Sequence, residues 1–363
     1  MIIKRKIILL GVVLWLISCY VFLSVPGAIG EKNLDSSITI KIYDNLDGKK
    51  IIIDSFHGAY YTTEFDFITA NMTSYGASVK VMNESYVFDQ TVDIMMYSTL
   101  NGTLSIEHKD ALKGWFGGGN RTLWIAGDSD YAGLFIQTEA NSILDFLGAH
   151  LRFDAGSVED TESNSGAVYR VIANETGEGP ISSIVTEGVE KVLFHGPTAL
   201  LGYNDGLVDL RTTILNNVEV LMYSSAAATV RDGDLSDNEF DFYVKSSMNG
   251  SYPMLAIEKI GDSYLIVSGD TTFSDYKNSY GIVDYNDGSP TQGSILVDQL
   301  LNFCFEGTVD NDPPLIYSSG NLDYILGETE NEISWILTDD NPNEYFTYFS
   351  DFEIVIGLVD IEK

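Results

Sequence analysis

The stretch that decides the fold is TLWIAGDSD, residues Thr122–Asp130, in which a short apolar run leads directly into a Gly-Asp-Ser-Asp turn. The same pattern occurs in KKIIIDSFHG, residues Lys49–Gly58, and in SYLIVSGDTT, residues Ser263–Thr272. Short apolar runs that are bounded by turn residues are typical of strands buried on both faces, as in a parallel sheet. The three stretches therefore predict parallel strands at the centre of an α/β protein.

Polar side chains follow each of these runs at the point where the strand ends. Because the carboxyl ends of parallel strands meet at one edge of a sheet, where open α/β folds bind ligands, we expect these side chains to share a crevice. A histidine and carboxylates there can hold a divalent cation. Alternatively, they accept hydrogen bonds from backbone N–H groups at strand ends and helix starts. The candidate ligand crevice consists of Asp54, His57, Asp128, Ser129, Asp130 and Asp270.

Predicted strands and helices alternate along most of the chain. This alternation implies right-handed crossovers and a flavodoxin-like, mostly parallel sheet flanked by helices. Strands are predicted over residues 51–53, 79–81, 93–97 and 123–126, with shorter strands within 168–223 and a strand pair over 253–260 and 264–268. Helices are predicted over residues 63–74, 104–116, 139–147 and 292–305, the first with Phe65, Phe67, Ile68 and Met72 facing the core.

The N-terminus has the layout of an export signal. Basic residues at positions 4–6 precede an uncharged apolar run over residues 7–29, an arrangement that keeps the N-terminus initially cytoplasmic. As a helix the run is long enough to span a bilayer as an uncleaved anchor, while the small residues in AIG, residues 28–30, are typical of a cleavage site. Both interpretations of residues 1–30 remain open. The sequence LISC also resembles a lipoprotein box, which would place a lipid on Cys19.

The chain is strongly acidic, with 53 Asp and Glu against 20 Lys and Arg and a net charge of −33. Such a surface repels nucleic acid and anionic lipid headgroups, so nucleic-acid binding is excluded. Solubility in a salty or acidic exterior explains this charge, and weak Ca²⁺ binding by acidic loops is the alternative.

The loop RDGDLSDNEFD, residues Arg231–Asp241, partly resembles a calcium loop, but Asp237 and Tyr243 stand where that motif requires Gly and Glu. We therefore predict a solvated loop.

Six N-x-[ST] sequons support an exterior location. Together with an export leader, they predict that at least some of these asparagines are glycosylated. Besides Cys19, the chain has only Cys304, which lies in the apolar run LLNFCF and is predicted to be a buried thiol without a disulfide. The candidate glycosylation sites are Asn71, Asn83, Asn101, Asn120, Asn174 and Asn249.

The flanks of the α/β region are predicted to be shorter units. Residues 31–47 form a polar linker with an edge strand, ITIKIY, over residues 38–43. After DNDPP the composition shifts, and residues 307–363 contain short alternating strands typical of the start of a β-sandwich. This tail is about half as long as a complete immunoglobulin-sized domain, so it is predicted to be a partial module.

The order of several segments resembles the class I glutamine amidotransferase-like superfamily over residues 48–306. These segments are DSFHGAYY, the strand ending in GDSD, EANSILDFLGAHL, TEGVEKVLFHGPTALLGY and PMLAIEKIGDSYLIVSGDTTF. The likeness is to the non-catalytic branch, found in prokaryotic surface and transport-associated proteins and in the intraflagellar-transport type of domain. Residues 307–363 are similar to immunoglobulin-like repeats of archaeal surface proteins.

Catalytic members of this superfamily carry a nucleophilic cysteine on a turn after a central strand, with a histidine and an acid from later in the chain. Here the corresponding turn is GDSD, which has no cysteine, and the late strand ends in GDT, which has no histidine. The resemblance therefore implies that the amidotransferase reaction, which needs an activated thiolate, is absent. Ser129 is a poor substitute, because Tyr131 stands where a nucleophile elbow requires Gly.

Three functions remain as hypotheses. The first is a non-enzymatic surface or envelope protein that binds a protein or glycan of the cell envelope, with the membrane contacted through residues 7–29. The second is a hydrolase that uses His57 and the crevice carboxylates on envelope carbohydrate. The third is an accessory subunit of a membrane export or transport assembly. We expect no cofactor other than a weakly bound divalent cation, and we interpret His108 and His195 as structural or solvent-exposed.

Overall fold

The computed structural model describes residues 44–58, 64–132, 135–235, 239–246 and 249–306, together with three short strands within residues 315–347. The predicted N-terminal apolar helix with Cys19 and the predicted edge strand lie outside the described residues. No helix in the described ranges combines the length and the hydropathy that crossing a bilayer requires. The chain divides into the units Met1–Ile42 and Tyr43–Lys363, and all described residues belong to the second.

Fifteen strands and five α-helices make up the described body of the protein. The strands are β1 (Lys50–Asp54), β2 (Ser78–Met82), β3 (Ile94–Tyr97), β4 (Thr122–Ala126), β5 (Leu151–Phe153), β6 (Ser157–Asp160), β7 (Arg170–Ala173), β8 (Glu175–Thr176), β9 (Val192–His195), β10 (Leu200–Tyr203), β11 (Leu207–Val208), β12 (Val218–Tyr223), β13 (Ala228–Arg231), β14 (Pro253–Ile260) and β15 (Ser263–Ser268). The helices are α1 (Asp66–Ser74), α2 (Ile106–Gly117), α3 (Phe135–Leu147), α4 (Pro180–Val185) and α5 (Gly293–Glu306).

A mostly parallel sheet of eight strands forms the centre, in the spatial order β2-β1-β3-β4-β15-β14-β12-β8. The first five of these strands are parallel to one another, and the remaining three are added antiparallel. The mixed α/β class and the mostly parallel sheet flanked by helices are thereby confirmed. Three smaller sheets are β11-β10-β5, β13-β6 and β7-β9. The short strands predicted within residues 168–223 lie partly in these smaller sheets, as β7, β9 and β10, and partly in the central sheet, as β12.

Helices cover both faces of the central sheet, and alternate strand residues point to the two sides. On β4, Trp124 packs with the α1 and α5 side of the core, whereas Leu123 packs with the α2 and α3 side. Both side chains are fully buried. Strands that are apolar on both faces therefore form this layer, which explains the uninterrupted apolar runs in the sequence.

One predicted core contact is wrong. Helix α1 buries Ile68 and Met72, which are four residues apart and so face the same side, but Phe67 is 60% exposed. The helix begins at Asp66, three residues after the predicted start, and its buried face does not include Phe67. Phe65, which precedes the helix, is buried and stacks on Phe273 with ring centroids 6.0 Å apart.

The C-terminal tail is described only in part. Strands β16 (Leu315–Tyr317), β17 (Ile336–Thr338) and β18 (Phe346–Thr347) form an antiparallel sheet in that order. The other residues beyond 306 lie outside the described part of the chain. The immunoglobulin-like assignment therefore stays a prediction.

Candidate functional site at the carboxyl edge of the sheet

The predicted crevice residues lie at or just beyond the ends of β1, β4 and β15, which run parallel and therefore end at the same edge of the sheet. The contacts of their side chains divide them into three groups. Asp54 and His57 form one group with aromatic residues, Asp128 and Asp270 form a second, and Asp130 belongs to a third. The sequence placed these residues at the correct edge but did not separate the groups.

The first group is the histidine–tyrosine cluster, which consists of Asp54, His57, Tyr86, Tyr97 and His108. Asp54 is buried, and its Oδ2 lies 2.6 Å from His57 Nδ1 and accepts the Tyr86 hydroxyl at 2.6 Å. Its Oδ1 accepts the backbone N–H of His57 at 2.9 Å. The Tyr97 hydroxyl lies 2.7 Å from His108 Nε2, and the two imidazole centroids are 5.3 Å apart.

These contacts fix the protonation of the cluster. Burial lowers the pKa of His108, and the neighbouring His57 lowers it further, so His108 is neutral at neutral pH. Burial raises the pKa of Tyr86 and of Tyr97, with the charge of Asp54 adding to the rise, so both remain protonated donors. Neutral His57 carries its proton on Nδ1, facing Asp54, which leaves Nε2 as an acceptor.

Asp128 and Asp270 form a carboxyl pair. Burial raises the pKa of Asp270 to about 7. Burial and, to a lesser extent, the charge of Asp270 raise the pKa of Asp128 well above its usual range. Asp270 Oδ2 accepts the backbone N–H of His195 at 2.7 Å, whereas Asp270 Oδ1 has no hydrogen-bond partner among the described residues. The pair therefore has a raised affinity for protons near neutral pH.

Ser129 is held by its backbone and not arranged as a nucleophile. Its N–H donates to Gly196 O and to Asp128 Oδ1, each at 2.7 Å. Its side chain is buried, and no imidazole of the described residues is hydrogen-bonded to it. The geometry thus lacks the base that activates a serine hydroxyl.

The Asp130 carboxylate is hydrogen-bonded to the loop that is predicted to be solvated, and the described residues 231–235 of that loop are exposed or half-exposed. Asp130 Oδ2 accepts the backbone N–H groups of Gly233 at 2.7 Å and Asp234 at 3.2 Å. Oxygen atoms of Asp130, Asp232 and Asp234 lie within 4.8 Å of one another. We call these three carboxylates the acidic cluster. The loop packs here because buried Asp130 provides an acceptor for its N–H groups, a long-range contact that loop composition does not reveal.

Sequence reasoning missed a further group, the aromatic–cation face. His195 lies edge-on between two tyrosine rings, 5.6 Å from Tyr169 and 4.8 Å from Tyr276 between centroids. Its pKa is lowered to about 4 by burial and by two nearby cations, so the ring is neutral at neutral pH. The face consists of Tyr169, Arg170, His195, Tyr276, Lys277 and Tyr285.

Two cations in this face lie over aromatic rings. Arg170 Cζ is 5.2 Å from the ring centroids of both Tyr169 and Tyr285. Lys277 Nζ is 5.4 Å from the centroid of Tyr276 and 5.0 Å from that of Tyr285. Arg170 Nε has no hydrogen-bond partner, and neither cation forms an ion pair within the described ranges. The members come from β7 and the residue before it, from β9, and from the segment after β15, so no local spacing indicates them.

The remaining predicted residues lie elsewhere on the fold. The His150 ring contacts Glu258, with Nδ1 2.7 Å from Oε1, and Cys304 is a buried free thiol. Asn71 is half-buried, and its Nδ2 donates to the Tyr280 hydroxyl at 3.0 Å. The other five sequon asparagines are exposed in the described structure: Asn83, Asn101, Asn120, Asn174 and Asn249.

Comparison with solved structures supports the fold. The N-terminal domain of mmIFT52 matches 71% of this chain and 99% of its own length with a TM-score of 0.50 at 11% identity. Further matches are a cytoplasmic protein from Salmonella typhimurium (TM-score 0.40, 13% identity, 70% of this chain and 98% of that one) and a ThuA-like protein from Parabacteroides merdae ATCC 43184 (TM-score 0.37, 12% identity, 73% and 92%). ThuA-like proteins have a class I glutamine amidotransferase-like fold. No protein-family model and no curated protein matches the chain.

Proposed function

We propose that the protein is a non-enzymatic binding protein of the cell surface or envelope, built on a flavodoxin-like, degenerate amidotransferase-like domain. Its ligand is a glycan that carries acidic groups, and it binds at the aromatic–cation face. The observation that carries this proposal is the presence of two cations over tyrosine rings, without ion-pair partners in the described ranges, in a chain of net charge −33.

The chemistry of this face suits an anionic sugar. Tyrosine presents a rigid apolar ring with a polar tip, which can cover the apolar face of a sugar and bond to its hydroxyls. The Arg170 side chain is half-buried, and a guanidinium can bind a carboxylate in a planar, bidentate arrangement. Tyr169 is 37% exposed, so the face is accessible from solvent. The proposed export leader and exposed sequons support a location where envelope glycans are present.

Substitution of the two cations tests this function. We expect Arg170→Gln and Lys277→Gln each to weaken binding of an acidic polysaccharide such as polygalacturonate by about tenfold, since a charge-assisted hydrogen bond contributes about 1.5–3 kcal/mol. Binding of the uncharged polysaccharide dextran should be weak and unchanged. The measurement is isothermal titration calorimetry on the full chain, repeated at increasing salt.

The matched controls are Lys80→Gln and Arg231→Gln, each of which removes one positive charge from an exposed position outside the face. Each control variant should bind the acidic polysaccharide as the wild type does. Equal loss of affinity in the control and in the face variants would refute a specific site, because net charge alone would then explain binding.

A second candidate function is hydrolysis, and the Asp54–His57 pair favours it. The strand order β2-β1-β3-β4-β15 has the flavodoxin-like pattern, in which ligands bind near the ends of β1 and β3. His57 follows β1, and Tyr97 ends β3. A carboxylate that holds the imidazole Nδ1–H leaves Nε2 in position to accept a proton from water or a hydroxyl.

If this function is correct, His57→Gln should lower hydrolysis of an acidic polysaccharide at least a hundredfold, because general-base catalysis contributes about 10²–10⁴ in rate. His150→Gln, at a histidine held by Glu258, is the control and should retain full activity. Reducing-end release over a range of pH is the measurement. Absence of activity in the wild type, or full activity in His57→Gln, would exclude this candidate.

A further inference from the structure

A polar groove lies near the edge of the sheet opposite to the predicted crevice. Two adjoining cavities of about 180 Å³ and 230 Å³ form it. Glu258, which contacts the His150 ring, pairs with Leu265 near the start of β15, so the groove lies toward the amino ends of the parallel strands. We call it the amide groove, and its walls include Asp145, His150, Tyr203, Asn204, Ile214 and Asn216. It shares no residue with the histidine–tyrosine cluster, the acidic cluster or the aromatic–cation face.

Backbone hydrogen bonds hold the walls of the groove in place. Helix α3 ends before Gly148, whose φ of 76° is typical of a residue that ends a helix and whose N–H donates to Asp145 O at 2.9 Å. The N–H of Tyr203 donates to His150 O at 2.7 Å, which joins the end of β10 to the segment before β5. A wall that is already ordered loses little conformational entropy when a ligand binds. The groove is therefore preorganised.

Glu258 fixes the orientation of the His150 ring. Its buried carboxylate accepts the backbone N–H of His150 at 2.8 Å, and its Oε1 lies 2.7 Å from the ring Nδ1. This contact places a proton on Nδ1 and leaves Nε2 on the opposite side of the ring. Half of the His150 side chain is exposed, so the ring can bond to a ligand hydroxyl.

Tyr203 presents an aromatic ring that packs on a buried cation. Arg152 Cζ lies 4.7 Å from the centroid of the Tyr203 ring. Arg152 is 4% exposed, whereas Tyr203 is 40% exposed. The guanidinium is held in place, because Nη1 donates to Ala149 O and Leu151 O, each at 2.7 Å, while Nη2 donates to Asp145 Oδ1 at 3.0 Å. The ring thus contacts a fixed cation on one side and remains open to a ligand.

The charges around the groove favour an uncharged ligand. Asp145 and Asp205 are exposed in its wall and repel anions. A cation is not favoured over the Tyr203 ring, because Arg152 already occupies the attraction that an aromatic ring has for a cation and repels a second one.

We propose that the amide groove binds an uncharged N-acetylated sugar. Asn204 and Asn216 are exposed in its walls, and a side-chain amide provides both the donor and the acceptor that pair with an acetamido group. Ile214, which is 96% exposed in the same wall, provides an apolar surface for the acetyl methyl group. The Tyr203 ring can cover the apolar face of the sugar. Two adjoining cavities, each smaller than the about 300 Å³ of a drug-sized pocket, suit a disaccharide.

Titration of the full chain with N,N′-diacetylchitobiose tests the site. This probe is an uncharged disaccharide with an acetamido group on each ring, and we expect a Kd of about 10⁻³ M, as for a shallow site with few polar contacts. Cellobiose has the same linkage but hydroxyls in place of the acetamido groups, so it should bind at least fivefold more weakly. The measurements are calorimetry and ligand-detected NMR on protein produced without glycosylation, so that the sequons carry no N-acetylated sugar.

Asn204→Ala and Asn216→Ala should each weaken binding about fivefold, because each variant removes a neutral hydrogen bond. Both positions are exposed, so we expect both variants to fold, and thermal melting checks this. Asn83→Ala is the matched control, because Asn83 is exposed after β2 and lies outside the groove. This control should bind the probe as the wild type does.

Four results would overturn the proposal. They are absence of binding at a probe concentration tenfold above the expected Kd, equal binding of cellobiose, full affinity in both groove variants, and tighter binding of the deacetylated, cationic form of the probe. None of these results bears on the acidic polysaccharide, because the probe carries no charge and Arg170 and Lys277 lie outside the groove. Failure of either glycan proposal is therefore distinguishable from failure of the other.

Discussion

Lowering the pH from about 8 to about 5 is expected to raise the free energy of unfolding, the opposite of ordinary acid destabilisation. The main cause is Asp270, whose pKa rises from 3.8 to about 7 because the carboxyl is buried. Between these two values the native carboxyl is protonated while the unfolded one is ionised, so the native state binds more protons. Stability therefore falls as the pH rises through this window and stays low above about 7.

The effect of Asp270 on stability is large for one residue. A rise of its pKa from 3.8 to about 7 corresponds to on the order of 4 kcal/mol in the free energy of unfolding. Asp154, which is also fully buried, contributes in the same direction, since burial raises its pKa to about 7. His195 acts in the opposite direction: its pKa is lowered to about 4, so its contribution to stability is lost as the pH falls from 6.5 to about 4.

Asp270→Asn isolates the effect of this carboxyl. The amide oxygen can still accept the N–H of His195, so we expect the variant to gain about 2–4 kcal/mol at about pH 8 and to show a flatter pH profile. The measurement is urea unfolding between about pH 4 and pH 8, with EDTA present. Asp205→Asn, which is exposed, should leave the profile unchanged. A wild type whose stability rises steadily from pH 5 to pH 8 would contradict the assignment of a buried, protonated Asp270.

Gly269→Ala is expected to destabilise the protein by about 3 kcal/mol or more, a value at the upper end for overpacking. A Cβ at this position would lie 2.1 Å from the backbone oxygen of Thr198. Neither backbone can move easily: the N–H of Thr198 donates to Gly269 O at 3.0 Å, and the N–H of Gly269 donates to Met254 O at 2.8 Å. This glycine therefore permits the close approach of two chains beside Asp270.

Gly114→Ala is the matched control, because Gly114 lies within α2 and a Cβ there would have no atom within 4 Å. This variant should be about 0.5–1 kcal/mol more stable than the wild type, since alanine has the higher helix propensity. Both variants are compared by urea unfolding. If Gly269→Ala unfolds at the wild-type midpoint, the two backbones are not in close contact.

The sequence predicted the central layer well, because burial on both faces requires uninterrupted apolar residues. The apolar runs before Asp54, Asp128 and Asp270 each form a short strand, namely β1, β4 and β15. The exposed Phe67 shows the limit of such reasoning, since an aromatic residue in a helix is compatible with either face until the helix is docked. The loop at Asp232 shows a second limit, because its acidic composition did not indicate that its N–H groups bind the Asp130 carboxylate.

The site depended more heavily on tertiary structure. Histidines 57 and 108 are 51 positions apart in sequence, yet their rings are 5.3 Å apart because β1 and the first turn of α2 meet at the same edge. Ser105 fixes that turn by accepting the N–H of His108 at 3.2 Å. The resemblance to a degenerate amidotransferase-like domain implied that the amidotransferase reaction is absent. It did not indicate which side chains lie together at this edge of the sheet.

The sequence by itself determined the class of the fold, the edge at which polar residues gather, and the net acidity from which we predict that nucleic acid is not bound. It did so because strand period, apolar run length and net charge are properties of local segments. Only the tertiary structure decided that Asp54 holds His57, that Asp130 turns to the loop at Gly233, and that Arg170 and Lys277 share tyrosine rings. Those relations depend on burial and on contacts between distant segments, which are established only when the sheet and its covering loops pack together.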